Sequence, residues 1–169
     1  MKLRKAELRD VPALFKMIGH YATERILLPR TQTDLYEHVW EFTVAEENGR
    51  VLACGALRIY NDQFAEIRSL CVEPGQETRG LGGALTDRLL AEARRLGLKT
   101  VFALTVTPGF FGKLGFREVS RETLPMKVWR DCLQCEKYFH CDEKAMILDL
   151  SRRQTSRVAS CPQAAEVSA

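Results

Sequence analysis

A glycine-bearing stretch, LCVEPGQETRGLGGALTDRLL at 70–90, is the part of the chain best suited to bind an anion. An apolar, strand-like run ends at Pro74-Gly75, and a helix is predicted to start near Arg79 or Gly80. The first N–H groups of a helix have no partner within the helix and lie at the positive end of its dipole, so they attract phosphate. The stretch therefore predicts a phosphate-binding loop, or else a tight strand-to-helix turn without a ligand. The helix is predicted because apolar residues recur every fourth position: Leu81, Leu85, Leu89 and Ala93.

The glycine spacing in this loop excludes two common nucleotide motifs. The chain has no G-x-x-x-x-G-K-[ST] sequence, so the loop is not a P-loop. A dinucleotide fingerprint needs G-x-G-x-x-G, whereas Gly80, Gly82 and Gly83 give only G-x-G-G. A Rossmann fold is therefore not expected.

A cysteine cluster near the end of the chain is the second group whose spacing could do chemistry. Cys132, Cys135, His140 and Cys141 offer four soft ligands within ten residues. Two thiolates with a Cys or His partner could hold a structural zinc ion at this spacing. A standard zinc site has a separated second pair, which is missing here, and reduced or redox-sensitive thiols give the same pattern. The four residues are candidate ligands only, and the main expectation is that no metal binds.

Composition sets the scale of the protein. The chain has 169 residues, 46% hydrophobic and 28% charged, which suits one domain over residues 1–150. Residues 151–169 contain few apolar side chains and are predicted to be a disordered tail. Of the net charge of +3, the tail carries +2, so no basic surface for nucleic acid is expected.

No run approaches the roughly 18 apolar residues of a membrane span, and MKLRKAELRD lacks the apolar core of a signal peptide. The sequence therefore predicts a cytoplasmic protein without a membrane partner. Cys54 and Cys71 lie in apolar strand-like runs and are expected to be buried, reduced thiols.

The elements that position these residues follow from periodicity and from turn signals. Asp10 is predicted to cap a first helix, and Thr33 or Asp34 to start a second. Asn48-Gly49 predicts a hairpin, and Gly97 the end of the long helix. The order β-α-α-β-β-β-α-β-α-β, followed by a final strand, predicts an α/β (α+β) fold, with a mixed, mostly antiparallel sheet flanked by helices on both faces. The strands are predicted at 3–6, 42–46, 51–60, 64–72, 100–106, 116–119 and 145–150, with a short helix at 108–114.

Two segments resemble the GCN5-related N-acetyltransferase (GNAT) family. V-x-P followed by R-G-x-G and A-L resembles the acetyl-CoA pyrophosphate loop of that family, and FFGKLGF at 110–116 resembles its recurrent F-Y-x-x-x-G-F segment. The resemblance covers residues 1 to about 150, and it implies that acetyl-CoA is the acetyl donor. Glu77 stands where the family usually has Gln or Arg, which adds a negative charge near the phosphates. The implied cofactor contacts are Leu70, Cys71, Val72, Thr78, Arg79, Gly80, Leu81, Gly82, Gly83 and Phe111.

The resemblance also implies a catalytic residue. Glu66 is similar in position to the general base of several family members, and could take a proton from the acceptor ammonium directly or through water. The alternative is an exposed strand residue paired with Arg58 or Arg68. Phe111 stands where family members often have the Tyr that protonates the leaving thiolate, so the proton donor is water, another residue or not needed.

Within the family, the chain most resembles the acetyltransferase domain of N-acetylglutamate synthases. This resemblance is carried by ILLPRTQTDL, AEIRSLCV, VFALTVTPGFFGKLGF and LPMKVW followed by AMILDL. It implies a short, single-domain amino-acid acetyltransferase that uses the α-amine of glutamate, the first step of arginine biosynthesis. Arg30, Arg68 and Lys127 are the expected ligands of the carboxylates, unless they are solvated surface charges.

Glu143 and Ala145 depart from the Arg and Ser of the synthases. Another amino acid or primary amine is therefore an alternative acceptor, and a non-catalytic acyl-CoA-binding module is an alternative function. A homodimer is left open.

Overall fold

One sheet dominates the computed structural model, which describes residues 1–124, 132 and 140–151. The strands are β1 (Lys2–Lys5), β2 (Phe42–Glu47), β3 (Arg50–Ile59), β4 (Phe64–Val72), β5 (Thr100–Thr105), β6 (Arg117–Val119) and β7 (Lys144–Asp149), and the helices are α1 (Val11–Thr23), α2 (Gln32–Glu37), α3 (Leu81–Arg95) and α4 (Pro108–Lys113). In the described part the strands run in the order β1-β2-β3-β4-β5-β7-β6, and every neighbouring pair is antiparallel except β4 with β5. The final strand therefore inserts between β5 and β6.

Helices pack on both faces of the sheet. Successive strand residues point to opposite faces, and on β2 the side chain of Val44 joins a buried cluster with α1, whereas its neighbour Ala45 joins one with α3. The apolar side of α1, including Leu14 and Ile18, is fully buried in the first cluster. The predicted α/β fold with its mixed, mostly antiparallel sheet is confirmed.

Two local turn predictions are confirmed by backbone angles. Asn48 and Gly49 have φ values of 51° and 79°, as a two-residue type I′ hairpin turn requires, and they join β2 to β3. Gly97, with φ of 77°, follows α3. The N–H of Leu98 then donates to the carbonyl of Ala93 at 3.0 Å, which satisfies one of the last carbonyls of the helix.

The starts of the first two helices differ from the prediction. Asp10 precedes α1 but makes no side-chain cap; its carboxylate accepts hydrogen bonds from Arg4 at 2.6 Å and from the Glu7 N–H at 2.8 Å. Helix α2 begins at Gln32, and its cap is Thr31, whose hydroxyl accepts the Asp34 N–H at 3.1 Å. In both cases the carboxylate that was expected to cap the helix instead forms an ion pair with a buried or half-buried arginine.

Several predictions lie outside the described residues. These are the role of Lys127, the ligand role of Cys135 and the disorder of the tail from residue 152 onward. Within the described part, none of the helices combines the length and the apolar character that crossing a bilayer requires.

The parallel strands β4 and β5 separate soon after they meet. They pair only at Phe64 with Thr100, Ala65 with Val101 and Glu66 with Phe102. Beyond Glu66, a bulge interrupts the pairing of β4 with β3, and Ser69 takes a left-handed φ of 51°. The sheet therefore opens into a cleft between the C-terminal ends of β4 and β5.

Candidate functional site

The cleft between β4 and β5 encloses about 410 Å³. In the described part of the chain the two strands form no ladder pair beyond Glu66 and Phe102, so backbone N–H and C=O groups on the facing edges can bond to a ligand. Apolar side chains supply much of the remaining wall. The lining residues include Tyr21, Leu27, Ile67, Arg68, Ser69, Leu70, Cys71, Val72, Leu104, Thr105, Phe110 and Phe111, together with three glycines at the start of α3.

The glycines at the start of α3 have different physical roles. Gly80 has a left-handed φ of 72°, which a residue with a Cβ rarely adopts. A Cβ on Gly82 would lie 3.4 Å from the Phe110 ring and 3.9 Å from Val72 Cγ2, so the missing side chain keeps the gap between them open. A 15-residue helix begins here, and its unpaired N–H groups and dipole favour an anion at this end of the cleft.

The charged side chains of the loop are engaged with protein partners. The Arg79 guanidinium donates to both Glu47 carboxylate oxygens, at 2.8 and 3.1 Å, and to Gln76 at 3.0 Å. Glu77 Oε1 accepts the Gly75 N–H at 3.1 Å, and the backbone N–H groups of Glu77 and Gly75 lower the pKa of the Glu77 carboxyl. An anion at this loop would therefore meet mainly backbone donors, in competition with the Glu77 carboxylate.

Of the ten predicted cofactor contacts, seven line the cleft and three do not. Thr78 and Arg79 are exposed on the turn before α3 and do not line the cleft. Leu81 is 1% exposed because, as the first residue of α3, it packs against Ala45 and Leu52 of the sheet. The residues that line the cleft are Leu70, Cys71, Val72, Gly80, Gly82, Gly83 and Phe111.

The hydroxyl groups on the cleft wall, which belong to Tyr21, Ser69, Thr105 and Thr107, were not identified as site groups from the sequence. Tyr21 on α1 donates to the Val72 carbonyl at 2.8 Å, and burial, reinforced by the Glu77 charge, raises the pKa of Tyr21. Thr105 ends β5, is 8% exposed and has its Oγ1 at 3.0 Å from that of Thr107. The only sequence signal for Thr105 was a hydroxyl at the end of a strand, and its role depends on the separation of β4 and β5.

Glu66 is buried at the closed end of the cleft, where the pairing of β4 with β5 stops. It is 7% exposed, so the exposure expected in the alternative is wrong, whereas the expected pairing with Arg68 is present. Its Oε2 accepts the Tyr60 hydroxyl at 2.9 Å and lies 3.8 Å from Arg68 Nη1. Glu66 itself does not line the cleft, but the next two residues of β4, Ile67 and Arg68, do.

A second cavity, of about 290 Å³, adjoins the cleft. Arg68 lines both cavities and therefore lies at their junction. The lining carries three guanidinium groups and one carboxylate, a net charge of +2. Such a surface favours a ligand with two negative groups. The lining residues are Leu28, Pro29, Arg30, Thr31, Asp34, Arg58 and Arg68.

The Arg30 guanidinium has unused hydrogen-bonding capacity. Its side chain is 6% exposed, its Nε binds Asp34, and its Nη1 lies 3.5 Å from the Ser69 hydroxyl. Nη2 is buried and has no hydrogen-bond partner among the described residues. A buried, unpaired donor destabilises the protein until it is bonded, so Nη2 is a ready donor for a carboxylate.

The other charges of this second cavity hold its geometry. Burial is the largest single influence on Asp34 and would raise its pKa, but the hydrogen bond and the charge of Arg30, together with the charges of His38 and Arg68, lower the pKa overall. Asp34 is therefore ionised and orients Arg30. Arg58 lies opposite Glu66 in the ladder, with its Nη1 at 3.6 Å from Glu41. Neither Asp34 nor Arg58 was named as a site residue from the sequence.

The cysteine cluster has no support as a zinc site in the described residues. Among them, no three His, Cys, Asp or Glu side chains form a group that could hold a metal ion. Cys132 Sγ lies 3.6 Å from Arg121, and Cys141 Sγ lies 3.8 Å from Glu143. Burial raises the pKa of Cys132 more than the Arg121 charge lowers it, which favours a neutral thiol.

Comparison with known proteins gives consistent matches. The Acetyltransferase (GNAT) family matches residues 10–116. An uncharacterized N-acetyltransferase of Chlorobaculum tepidum is 38% identical over 148 residues, 88% of this chain and 96% of that protein. An amino-acid acetyltransferase of Mycobacterium tuberculosis is 39% identical over 139 residues, 80% of this chain and 78% of that protein.

Among solved structures, N-acetylglutamate synthase from Neisseria gonorrhoeae complexed with coenzyme A and N-acetyl-glutamate superposes with a TM-score of 0.82 and 27% identity. The match covers 89% of this chain and 35% of that chain. The similarity is therefore to one part of the larger synthase.

Proposed function

Because the chain belongs to the GNAT family of acetyltransferases, we propose that it transfers the acetyl group of acetyl-CoA to the α-amine of L-glutamate, the first step of arginine biosynthesis. The observation that carries this proposal is the arginine-lined cavity, which shares Arg68 with the cleft. One cavity is suited to an acyl donor with phosphates, and the other to a dicarboxylic acceptor.

The cleft fits acetyl-CoA on the features of its own walls. The backbone at Gly80, Gly82 and Gly83 is free of side chains and would hold the pyrophosphate at the α3 N-terminus. The separated edges of β4 and β5 would bond to the amides of the pantetheine arm. When bound, acetyl-CoA supplies the thioester carbonyl that the acceptor amine attacks.

The second cavity supports a dicarboxylic acceptor on charge and on hydrogen bonding. Its net charge of +2 is balanced by two carboxylates. Arg30 Nη2 is unbonded among the described residues, and it would donate to one carboxylate. Arg68 would hold the acceptor at the junction, where its Nη1 lies 3.8 Å from Glu66 Oε2. Bidentate pairing with arginine would orient the α-amine toward the thioester.

The proton steps are proposed for residues near this junction. Glu66 takes a proton from the acceptor ammonium, directly or through one water molecule, so that the neutral amine can attack. Phe111 has no hydroxyl or other group that could donate a proton, and the Tyr21 hydroxyl is bonded to the Val72 carbonyl. Thr105, with a hydroxyl on the cleft wall, is the proposed donor of a hydrogen bond to the departing thiolate. The second proton, lost by the attacking nitrogen as the amide forms, passes to that sulfur and gives the CoA thiol.

A different amino acid as acceptor is the second candidate. Ala145 is 1% exposed and belongs to an apolar cluster with Tyr60 and Phe102, so it supplies no hydroxyl to an acceptor. Together with Glu143, it departs from the Arg and Ser expected from the synthases. These two positions favour a changed preference among amino acids.

The proposed function is tested by thiol release from acetyl-CoA across a panel of free amino acids and simple amines. We expect L-glutamate to have the highest kcat/KM, with L-glutamine and monocarboxylic amino acids at least tenfold lower, since one ion pair to a carboxylate contributes more than 1.4 kcal/mol. A higher kcat/KM for another acceptor would assign the acceptor to the second candidate. Binding of acetyl-CoA without turnover of any acceptor would indicate that the protein is a non-catalytic acyl-CoA-binding module.

Replacing Gly82 with Val tests whether the cleft binds acetyl-CoA, the acetyl donor. The branched side chain would enter the gap between Phe110 and Val72, so we expect the affinity for acetyl-CoA to fall more than tenfold while the domain stays folded. Calorimetry measures the affinity, and circular dichroism checks the fold. Gly19→Val is the matched control, because Gly19 is also helical, has open space beside it and lies away from the cleft. Unchanged affinity in a folded Gly82→Val protein would contradict the donor site.

A further inference from the structure

The hydroxyl group of Tyr60 has no role in the chemistry described so far. It is 8% exposed and donates to Glu66 Oε2 at 2.9 Å. The Tyr60 ring lies 5.7 Å from that of Phe102, the residue that faces Glu66 across the β4–β5 ladder. Leu124 and Ala145 complete this apolar cluster. The phenol is therefore held by packing on one side and by the carboxylate on the other.

We propose that Tyr60 is a positioning residue for Glu66, fixing the orientation of the carboxylate and stabilising its ionised form. A neutral donor bonded to a buried carboxylate favours the charged state, because the charge has lost its water. With Oε2 held by the phenol, the carboxylate group has a fixed orientation. This inference rests on the proposed role of Glu66 as the base.

Other charged groups act on Glu66, and they stay in place when the phenol is changed. Arg68, on the same strand, lies 3.8 Å from Oε2. Arg58, on β3, is the ladder partner of Glu66. Arg30 and Asp34 line the cavity to which Arg68 and Arg58 also belong. On β5 the ladder partner is Phe102, which does not titrate. A change confined to the Tyr60 hydroxyl therefore removes its hydrogen bond to Glu66 and leaves these charged groups in place.

The test is the pH dependence of kcat/KM in Tyr60→Phe. Loss of the donated hydrogen bond disfavours the ionised carboxylate, so the acid limb should move to higher pH by about one unit. At pH values well above the acid limb, kcat/KM of Tyr60→Phe should differ less from the wild-type value than it does near the midpoint of the limb. Tyr36→Phe is the matched control, since Tyr36 is 44% exposed on α2 and lines neither the cleft nor the arginine-lined cavity. The control should keep the wild-type profile.

A second variant distinguishes the loss of the hydrogen bond from a change of packing in Tyr60→Phe. Placing 3-fluorotyrosine at position 60 by codon suppression keeps the ring and makes the phenol a stronger donor, so the acid limb should move to lower pH. Opposite shifts in the two variants support the inference. An acid limb that stays in place in both folded variants would overturn it, and so would shifts in the same direction.

A third measurement does not need turnover. In protein labelled with [5-¹³C]glutamate, the carboxyl signal that disappears in Glu66→Gln should titrate at higher pH in Tyr60→Phe than in the wild type. If glutamate is a poor acceptor but this signal still moves, the inference holds and the proposed acceptor fails. If glutamate is the best acceptor but neither the signal nor the acid limb moves, the inference about Tyr60 fails while the proposed function stands.

Discussion

Replacing Glu66 with Gln is expected to lower turnover at neutral pH by about a hundredfold, because a neutral amide cannot take the proton of the acceptor ammonium. The shape of the side chain is kept, and the amide can still accept the hydrogen bond from Tyr60. The affinity for acetyl-CoA should stay the same, since Glu66 does not line the cleft. Steady-state kinetics and calorimetry measure the two effects separately.

Glu118→Gln is the matched control for this change. Glu118 lies on β6, is exposed and pairs with Lys144 at 3.1 Å, away from both cavities. Its replacement should leave turnover unchanged. Full activity in Glu66→Gln would remove Glu66 from the mechanism, whereas equal losses in both variants would point to a general effect of the substitutions.

Replacing Arg30 with Ala is expected to raise the Michaelis constant for glutamate by about a hundredfold, as the loss of a charge-assisted hydrogen bond to a carboxylate predicts. The Michaelis constant for acetyl-CoA should change far less, because Arg30 lines only the second cavity. Initial rates with each substrate varied in turn give both constants. Equal effects on both substrates would count against the acceptor role.

Arg30→Ala also leaves the Asp34 carboxylate without its main partner. Arg30→Lys keeps the charge without the planar fork, so it should recover part of the affinity for glutamate. Arg9→Ala is the matched control, because Arg9 is 71% exposed and pairs only with Glu7 among the described residues. The preference for glutamate over a monocarboxylic amino acid should fall in Arg30→Ala and remain in Arg9→Ala.

Local sequence signals predicted the elements of the fold well, because each depends on a few adjacent residues. The Asn48-Gly49 turn and the Gly97 helix end follow from the left-handed angles that these residues tolerate. The glycine loop was located on the same principle. The structure adds that Gly80 is required by its backbone angle and Gly82 by the approach of Phe110.

The groups around Glu66 could not be predicted, because they depend on the pairing of distant strands. Arg58 lies opposite Glu66, and Tyr60 can bond to it, only in the register that pairs Arg58 with Glu66. The bulge at Ser69 then shifts the later part of β4, a change that alternation alone does not reveal. Helix α2 shows the same limit, since Asp34 was expected at its start and instead bonds to Arg30.

The early separation of β4 from β5 also bears on how the protein unfolds. The β1–β4 part and the β5–β7 part share three ladder pairs, with α3 packed across both. Such a joint is a natural boundary between cooperative units, along which the molecule would open before it unfolds as a whole. A ligand that bonds to both strand edges at once would hold the two parts of the sheet together. Bound acetyl-CoA would therefore stabilise the protein against opening at this boundary, and the stabilisation would be lost when acetyl-CoA dissociates.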